Sequence, residues 1–425
     1  MNIKAFKNMN FVDGGVCAAR GFKANGVHCG ISRKALVEKE GVENAPVPKK
    51  NDLAMIVSDT PCTAAAMYTT NKVQGAPIAV TKENLKNGMA QAVIVNSVNA
   101  NTCNADGVEK AEKMCELAAD ALGLDKSDII VASTGVIGQP LPIEPIIAGV
   151  PALAEGLSYE GNTAAVNAIM TTDTCPKEVA VQFVIDGKTC TLGGMLKGSG
   201  MIHPNMATTL TFLTTDCAID AALLHEALRQ VVNLTLNRVS VDGDTSTNDM
   251  VCVMANGMAE NAVISAENDA YEMFKDALYA VLMNLARMMA RDGEGATKLI
   301  ECVCTGAQDD KTAAIVAKSV ITSSLFKAAI FGEDANWGRI LCAVGYAPAD
   351  FDIHKVDVTL ASAKGKIDVC KNGAGLDFSE EFAKEVLSEE EIGVLVTIGD
   401  GAGSAVAWGC DLTYDYVRIN GDYRS

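Results

Sequence analysis

The chain has 425 residues, 35 basic and 53 acidic side chains, and a net charge of −18. Its length provides for about two or three structural units around buried cores, and 49% hydrophobic against 21% charged residues excludes a disordered chain. The acidic balance argues against a nucleic-acid partner, which needs a positive surface for phosphates, and without a run of about 18 apolar residues no membrane span is expected.

Residues 1–11 carry Lys4 and Lys7 but no apolar stretch long enough for a secretory signal, so the fourteen cysteines are expected to stay reduced in the cytoplasm. Runs rich in Val, Ile and Thr predict strands at 53–57 and 92–95, a helical apolar stripe predicts a helix over 108–122, and a further strand is predicted at 129–132. Pro140, Pro142, Pro145 and Pro151 punctuate 139–151, which reads as a surface connection. After a strand at 179–185, the glycine-rich stretch 193–200 reads as a loop that runs on into a strand at 209–215. A helix over 221–232 has Asp220 as its expected N-cap. It is followed by a strand at 250–254 and a helix over 271–289, with Phe274, Leu278, Val281, Leu282 and Leu285 on one stripe and Gly293 as a terminator. A strand at 394–398 completes a mixed α/β or α+β pattern.

Metal and phosphate sites find little support. The histidines at 28, 203, 225 and 354 are scattered, and Cys302 and Cys304 are the only close cysteines, so no zinc-type spacing exists. The 193–200 stretch lacks the spacing of a phosphate loop and leads into a strand rather than a helix, and 399–403 is an equally weak look-alike. Two readings of 193–209 stay open on the residues themselves. One is a flexible glycine loop before a strand. The other is a strained approach to the Ala207–Thr208 bond, where the Thr hydroxyl attacks the preceding carbonyl and leaves an N-terminal Thr. Its free α-amine, with a pKa near ~8, then serves as general base for its own hydroxyl.

The segment 197–208, KGSGMIHPNMAT, resembles the self-cleavage segment of the ornithine acetyltransferase (glutamate N-acetyltransferase) family. Similar runs follow the family along the whole chain: GFKA at 21–24, DLAMI at 52–56, TTN at 69–71, NAN at 99–101, TTDT at 171–174 and VDGDTSTND at 241–249. RDGEGATK at 291–298, FGEDANWGR at 331–339 and INGDYRS at 419–425 continue the resemblance to the C-terminus.

The resemblance implies roles for individual residues. Thr208 matches the residue that is both the autocleavage and the catalytic nucleophile, cleaving after Ala207 and carrying the acetyl group on Oγ. Thr134 and Gly135 match the oxyanion-hole pair. Thr174, Lys197, Glu294, Asn420 and Ser425, together with Thr208, match substrate-contacting positions; Lys197 suits a carboxylate and Glu294 an ammonium group. His203 is read as a structural residue of the cleavage turn rather than a catalytic base. The sequence departs from the family pattern at Val98, where Gly often precedes the Asn-Ala-Asn triplet, at Gly421, where Ala is common, and at Ser425, where Thr is common.

The implied fold is a layered α/β sandwich of the aminopeptidase/ornithine acetyltransferase type with a smaller C-terminal α+β domain. The implied chains are 1–207 (alpha, N-terminal sandwich) and 208–425 (beta, completing the sandwich and carrying the C-terminal domain from about 300), assembled as an α2β2 heterotetramer. The implied reaction moves the acetyl group of N-acetyl-L-ornithine to L-glutamate in arginine biosynthesis, with no cofactor and no metal. Some members also take acetyl-CoA as donor, which these residues do not decide. Two other functions share the chemistry in part: a self-processed N-terminal-nucleophile aminopeptidase or amidase, in which water is the acceptor, and an amino-acid-binding protein without turnover.

Overall fold

The computed structural model describes residues 3–31, 50–203 and 209–422. Strand Leu53–Tyr68 shows how the larger sheet is buried on both faces. Leu53 and Met55 enter one apolar cluster and Ala54 and Ile56 another; farther along, Ala64 and Ala66 rejoin the second cluster while Ala65 and Met67 enter a third. Side chains alternate across a strand, so a continuously apolar run fits only where both faces are covered.

That sheet has nine strands. In spatial order, Asn10–Val12, Lys177–Ile185, Lys188–Lys197, Leu210–Thr215, Met250–Ala255, Leu53–Tyr68, Met89–Asn96 and Ile129–Ser133 lie side by side, and Phe22–Val27 also pairs with Leu53–Tyr68. Pairing is antiparallel except for Leu210–Thr215 with Met250–Ala255 and Met89–Asn96 with Ile129–Ser133. Both parallel pairs matter below, because their strand ends point the same way and deliver loops to one place.

A second, seven-stranded sheet is built from Ala374–Gly375, Gly365–Lys371, Asp357–Ser362, Glu391–Thr397, Leu299–Ala307, Gly403–Cys410 and Val239–Ser240, in that order. Val239–Ser240 comes from the middle of the chain and pairs with Trp408 and Gly409, stitching the two sheets together. Helix Asp269–Arg291 sits at the junction, in one cluster with Leu299, Trp408 and Cys410. Among the described residues no single helix is long and apolar enough to cross a membrane.

The predicted strands and helices all form, mostly longer than expected, and Asp220 caps its helix by accepting from the Ala222 N–H at 2.9 Å. Two expectations are corrected. Residues 139–151 are not simply a connection, because Ile143–Glu155 is a helix burying Ile146, Val150 and Leu153. Pro145 lies in the first turn, where its missing N–H costs nothing, and the apolar stripe outweighs the bond lost at Pro151. The glycine stretch does not begin as a loop either. Gly193 and Gly194 lie inside strand Lys188–Lys197, where a Cβ on Gly193 would come within 1.9 Å of the Gly15 carbonyl oxygen. Close backbone approach, not flexibility, selects that glycine.

Candidate active site

The site grows from the ends of the parallel pair Met89–Asn96 and Ile129–Ser133. Beyond the last paired residues the two chains stay zipped: Thr134 N–H donates to Asn96 O at 3.0 Å, Val136 N–H to Val98 O at 2.9 Å, and Ala100 N–H to Val136 O at 2.9 Å. The Ser133 hydroxyl adds a bond to the Asn96 side chain at 2.6 Å. Gly135 takes φ +129° in this turn, and among the described residues neither its N–H nor the Thr134 hydroxyl meets an acceptor. Two donors on adjacent residues of a fixed turn are what a developing oxyanion requires.

Asn248 locks this turn to a third segment. Its amide donates to Ala100 O at 2.6 Å and Ser133 O at 3.0 Å, while its oxygen accepts from the hydroxyls of Thr102 at 2.6 Å and Thr247 at 2.7 Å. An amide has two donors and two acceptor sites, so Asn248 is fully used.

The opposite wall rests on a buried ion network. Lys177 is fully buried and holds Asp173 at 2.7 Å and Asp292 at 2.5 Å. Asp173 also accepts from the N–H groups of Gly198 at 2.8 Å and Thr171 at 3.0 Å. Burial alone would raise the Asp173 carboxyl, but Lys177 and then Lys197 outweigh it and hold it well below the usual carboxylate range. The Lys177 ammonium is disfavoured by burial yet raised by its two carboxylates. This network fixes the walls 171–174 and 198–200, since the Ser199 hydroxyl in turn donates to Asp292 O at 2.7 Å.

Glu294 follows directly: its N–H donates to Ser199 O at 3.2 Å, and its carboxylate accepts from the Asn420 amide at 2.8 Å. Asn420 arrives on helix Tyr414–Asp422. The Glu294 carboxylate lies directly over Gly200, where a Cβ would come within 2.3 Å of its carboxyl carbon and push it aside. Together these elements enclose a cavity of about 140 Å³. Thr134, Gly135, Lys197, Glu294 and Asn420 all line it, together with Thr171 and Thr172. A larger cavity of about 580 Å³ beside Arg287 and Glu391 contains none of them.

Thr174 is placed differently. It is exposed, does not line the cavity, and spends both its N–H and its hydroxyl on Asp292. Ala207, Thr208 and Ser425 lie outside the described residues. The neighbouring Thr209 is placed, its carbonyl accepting from Met250 N–H at 2.8 Å. His203 bonds through Nδ1 to the Ser240 hydroxyl at 3.0 Å and does not line the cavity. Burial and then Lys318 push its pKa down to about 4, against Asp244, so the ring is neutral at pH 7.

Sequence reasoning assigned no role to Lys177, Asp292, Asn248 or Asp249. Asp249 is buried with Oδ2 unpartnered among the described residues, and burial pushes its carboxyl well above the ordinary range, against Ser246 and Lys197. Nothing local marks a lysine for complete burial. The polar run 241–249 was visible, but not which of its members faces inward.

Residues 38–425 match the ArgJ family. The arginine biosynthesis bifunctional protein ArgJ of Caldanaerobacter subterraneus subsp. tengcongensis is 49% identical over 418 residues, covering 98% of this chain and all of that protein. The protein of the same description from Bacillus subtilis is 45% identical over 416 residues, 97% of each chain. Among solved structures, an ornithine acetyltransferase complexed with ornithine from Mycobacterium tuberculosis is 34% identical, covering 47% of this chain and all of that one, with a TM-score of 0.41.

Proposed function

The chain belongs to the ArgJ family, and on that premise we propose that it moves the acetyl group of N-acetyl-L-ornithine to L-glutamate in arginine biosynthesis. The observation that carries the reading is the convergence of Thr134, Gly135, Lys197, Glu294 and Asn420, distant in sequence, on one cavity. A hydroxyl and a backbone N–H for an oxyanion, a cation for a carboxylate and a carboxylate for an ammonium group match what an N-acyl amino acid presents.

The chain first processes itself. The Thr208 hydroxyl adds to the Ala207 carbonyl carbon, its proton passes to the Ala207–Thr208 amide nitrogen, and the C–N bond breaks to leave an ester. That cleavage frees the Thr208 α-amine, and water then hydrolyses the ester, giving a carboxylate on Ala207 and restoring the Thr208 hydroxyl. In turnover that amine takes the proton of Oγ as the hydroxyl attacks the acetyl carbonyl of the donor. The proton passes to the departing ornithine nitrogen, and the acetyl group stays on Thr208 as an ester. Thr134 and Gly135 bind the oxyanion in both half-reactions, and the glutamate amine then takes the acetyl group and restores Thr208. Lys197, Glu294 with Asn420, and Ser425 hold the amino-acid ends, while Thr174 acts from behind them through Asp292, on which its N–H and hydroxyl are spent. Chains 1–207 and 208–425 remain together, the second carrying the C-terminal domain, as a cytoplasmic α2β2 assembly.

Mass spectrometry under denaturing conditions tests the first step and product analysis the second. Two fragments meeting at Ala207/Thr208 are expected, with N-acetylglutamate formed only when N-acetylornithine and glutamate are both present. Thr208→Ala is expected to stay one chain and inactive. Acetate as the main product would point to a hydrolase instead, and a fully active Thr208→Ala chain would sink the mechanism.

A further inference from the structure

The polar run 241–249 does more than supply Asn248. On the upstream side of residues 204–208, the Asp242 carboxylate accepts from two consecutive backbone N–H groups, Met201 at 2.7 Å and Ile202 at 2.9 Å. Val241 N–H donates to Ile202 O at 2.7 Å, and the Thr245 hydroxyl donates to His203 O at 2.8 Å. Met201 is held at φ +58°, a left-handed conformation that a non-glycine residue adopts at a cost. On the downstream side, Met250 N–H donates to Thr209 O at 2.8 Å, and from Met250 opposite Leu210 onward the two strands pair in parallel. One stretch of ten residues, 241–250, therefore grips the chain immediately before and immediately after 204–208.

We propose that the Asp242 end of this stretch is a processing jig, with Asp242 as its upstream clamp, and that this clamp, unlike Asn248 farther along, serves self-cleavage rather than acetyl transfer. The proposal rests on the self-cleavage reading above. Attack of the Thr208 hydroxyl on the Ala207 carbonyl carbon requires that peptide unit to leave its relaxed planar geometry. Such distortion persists only where the surrounding structure over-determines it, and it relaxes if either flank can slide. The downstream flank is fixed by a strand in the middle of a sheet. Among the described residues no strand continues the upstream flank beyond Lys197; the Asp173 and Asp292 network holds 198–199, and the last residues before 204, Met201, Ile202 and His203, are held by Asp242, Val241 and Thr245. Once the Ala207–Thr208 bond is broken, that attack is over and the flanks need no longer be held for it. Asp242 is a positioning residue: its oxygens meet backbone amides, and it does not line the cavity.

The test follows the full chain as it is made, in a cell-free translation time course read on denaturing gels, for wild type, Asp242→Asn, Thr245→Val and Thr208→Ala. Acetyl transfer is then measured per cleaved chain. Asp242→Asn is expected to slow conversion of precursor to two chains by about tenfold or more, and Thr245→Val by a smaller factor. Turnover per cleaved chain should stay within about twofold of wild type, because processing and turnover draw on different interactions. The two variants are read independently, so failure of one to fold leaves the other decisive. Conversion of both at the wild-type rate would overturn the clamp. So would an equal fall in conversion and in turnover per cleaved chain, which is the signature of general damage. A wild-type chain that stays whole, or a Thr208→Ala chain that cleaves, would instead overturn the self-cleavage reading and the clamp with it.

Discussion

A side chain on Gly135 would collide with the backbone of Val98: its first carbon would lie 2.1 Å from the Val98 carbonyl carbon and 2.2 Å from the carbonyl oxygen. Neither atom belongs to a side chain that could swing aside. Gly135→Ala must therefore push apart the two strand ends that present Thr134. If the pair binds the oxyanion, kcat should fall by about 10²-fold, the usual cost of losing one such donor. KM should change much less, because ground-state contacts of Lys197 and Glu294 are untouched. An active Gly135→Ala enzyme with unchanged kcat would remove the pair from the mechanism.

Val98 itself takes φ +78°, where a β-branched residue is strained. The family pattern of Gly before Asn99 has its physical basis here. Val98→Gly is expected to stabilise the fold by up to about 1 kcal/mol, the relief being offset in part by the greater freedom of glycine in the unfolded chain. Urea melts of the two proteins measure it directly, and a lower midpoint for the variant would show that contacts of the Val98 side chain outweigh the strain.

Lys177→Met leaves Asp173 and Asp292 as buried carboxylates facing each other without their cation. Breaking such a network from one side costs about 3–5 kcal/mol. A matching drop in unfolding free energy is expected, and combining Lys177→Met with Asp173→Asn and Asp292→Asn should recover much of it. If the single variant unfolds at the wild-type midpoint, the network is not holding the walls of the cavity.

The Asp249 carboxyl titrates well above its ordinary value because it is buried. The unfolded chain loses this proton near pH ~4, while the folded chain keeps it to higher pH. Stability is therefore lost as pH rises from about 4 through the folded pKa. Asp249→Asn removes that cost and should raise the denaturation midpoint at pH 7 while leaving it nearly unchanged at pH 4. Equal shifts at both pH values would show that the effect is not ionisation.

His203 has the opposite sign. Its folded pKa is about 4 against an ordinary 6.5, so the unfolded chain binds a proton first as pH falls. The contribution is fully present above about pH 6.5 and is lost between there and about pH 4. Between pH 7 and 5, wild type should lose more stability than His203→Gln, whose neutral amide does not titrate. The difference between the two urea midpoints isolates this group from all others.

Much of the site is written in the sequence as residue types in a recognisable order. Lys197, Glu294 and Asn420 were named from matching runs and Thr134 and Gly135 from the same family resemblance, and all five meet at one cavity. Thr174 was named by the same route and lies outside the lining, its hydroxyl on Asp292. A matching run identifies a residue without saying which way its side chain turns. Lys177 and Asp292 were out of reach altogether, 115 positions apart. Their pairing depends on helix Asp269–Arg291, which ends at Asp292, packing against strand Lys177–Ile185.

Local chemistry was enough to place strands, helices and the Asp220 cap, because alternation of apolar side chains and capping act over a few residues. It misjudged the prolines of 139–151 and the glycines at 193 and 194, where the outcome turned on what lies across the fold. A helix forms despite Pro151 because Ile146, Val150 and Leu153 are buried, and a strand runs through Gly193 because the Gly15 carbonyl passes close by. The grip of 241–250 on both flanks of 204–208 is of the same kind. Hydrogen bonds such as that from Met201 N–H to the Asp242 carboxylate exist only once long-range pairing has been established, and no short-range rule of composition or spacing contains them.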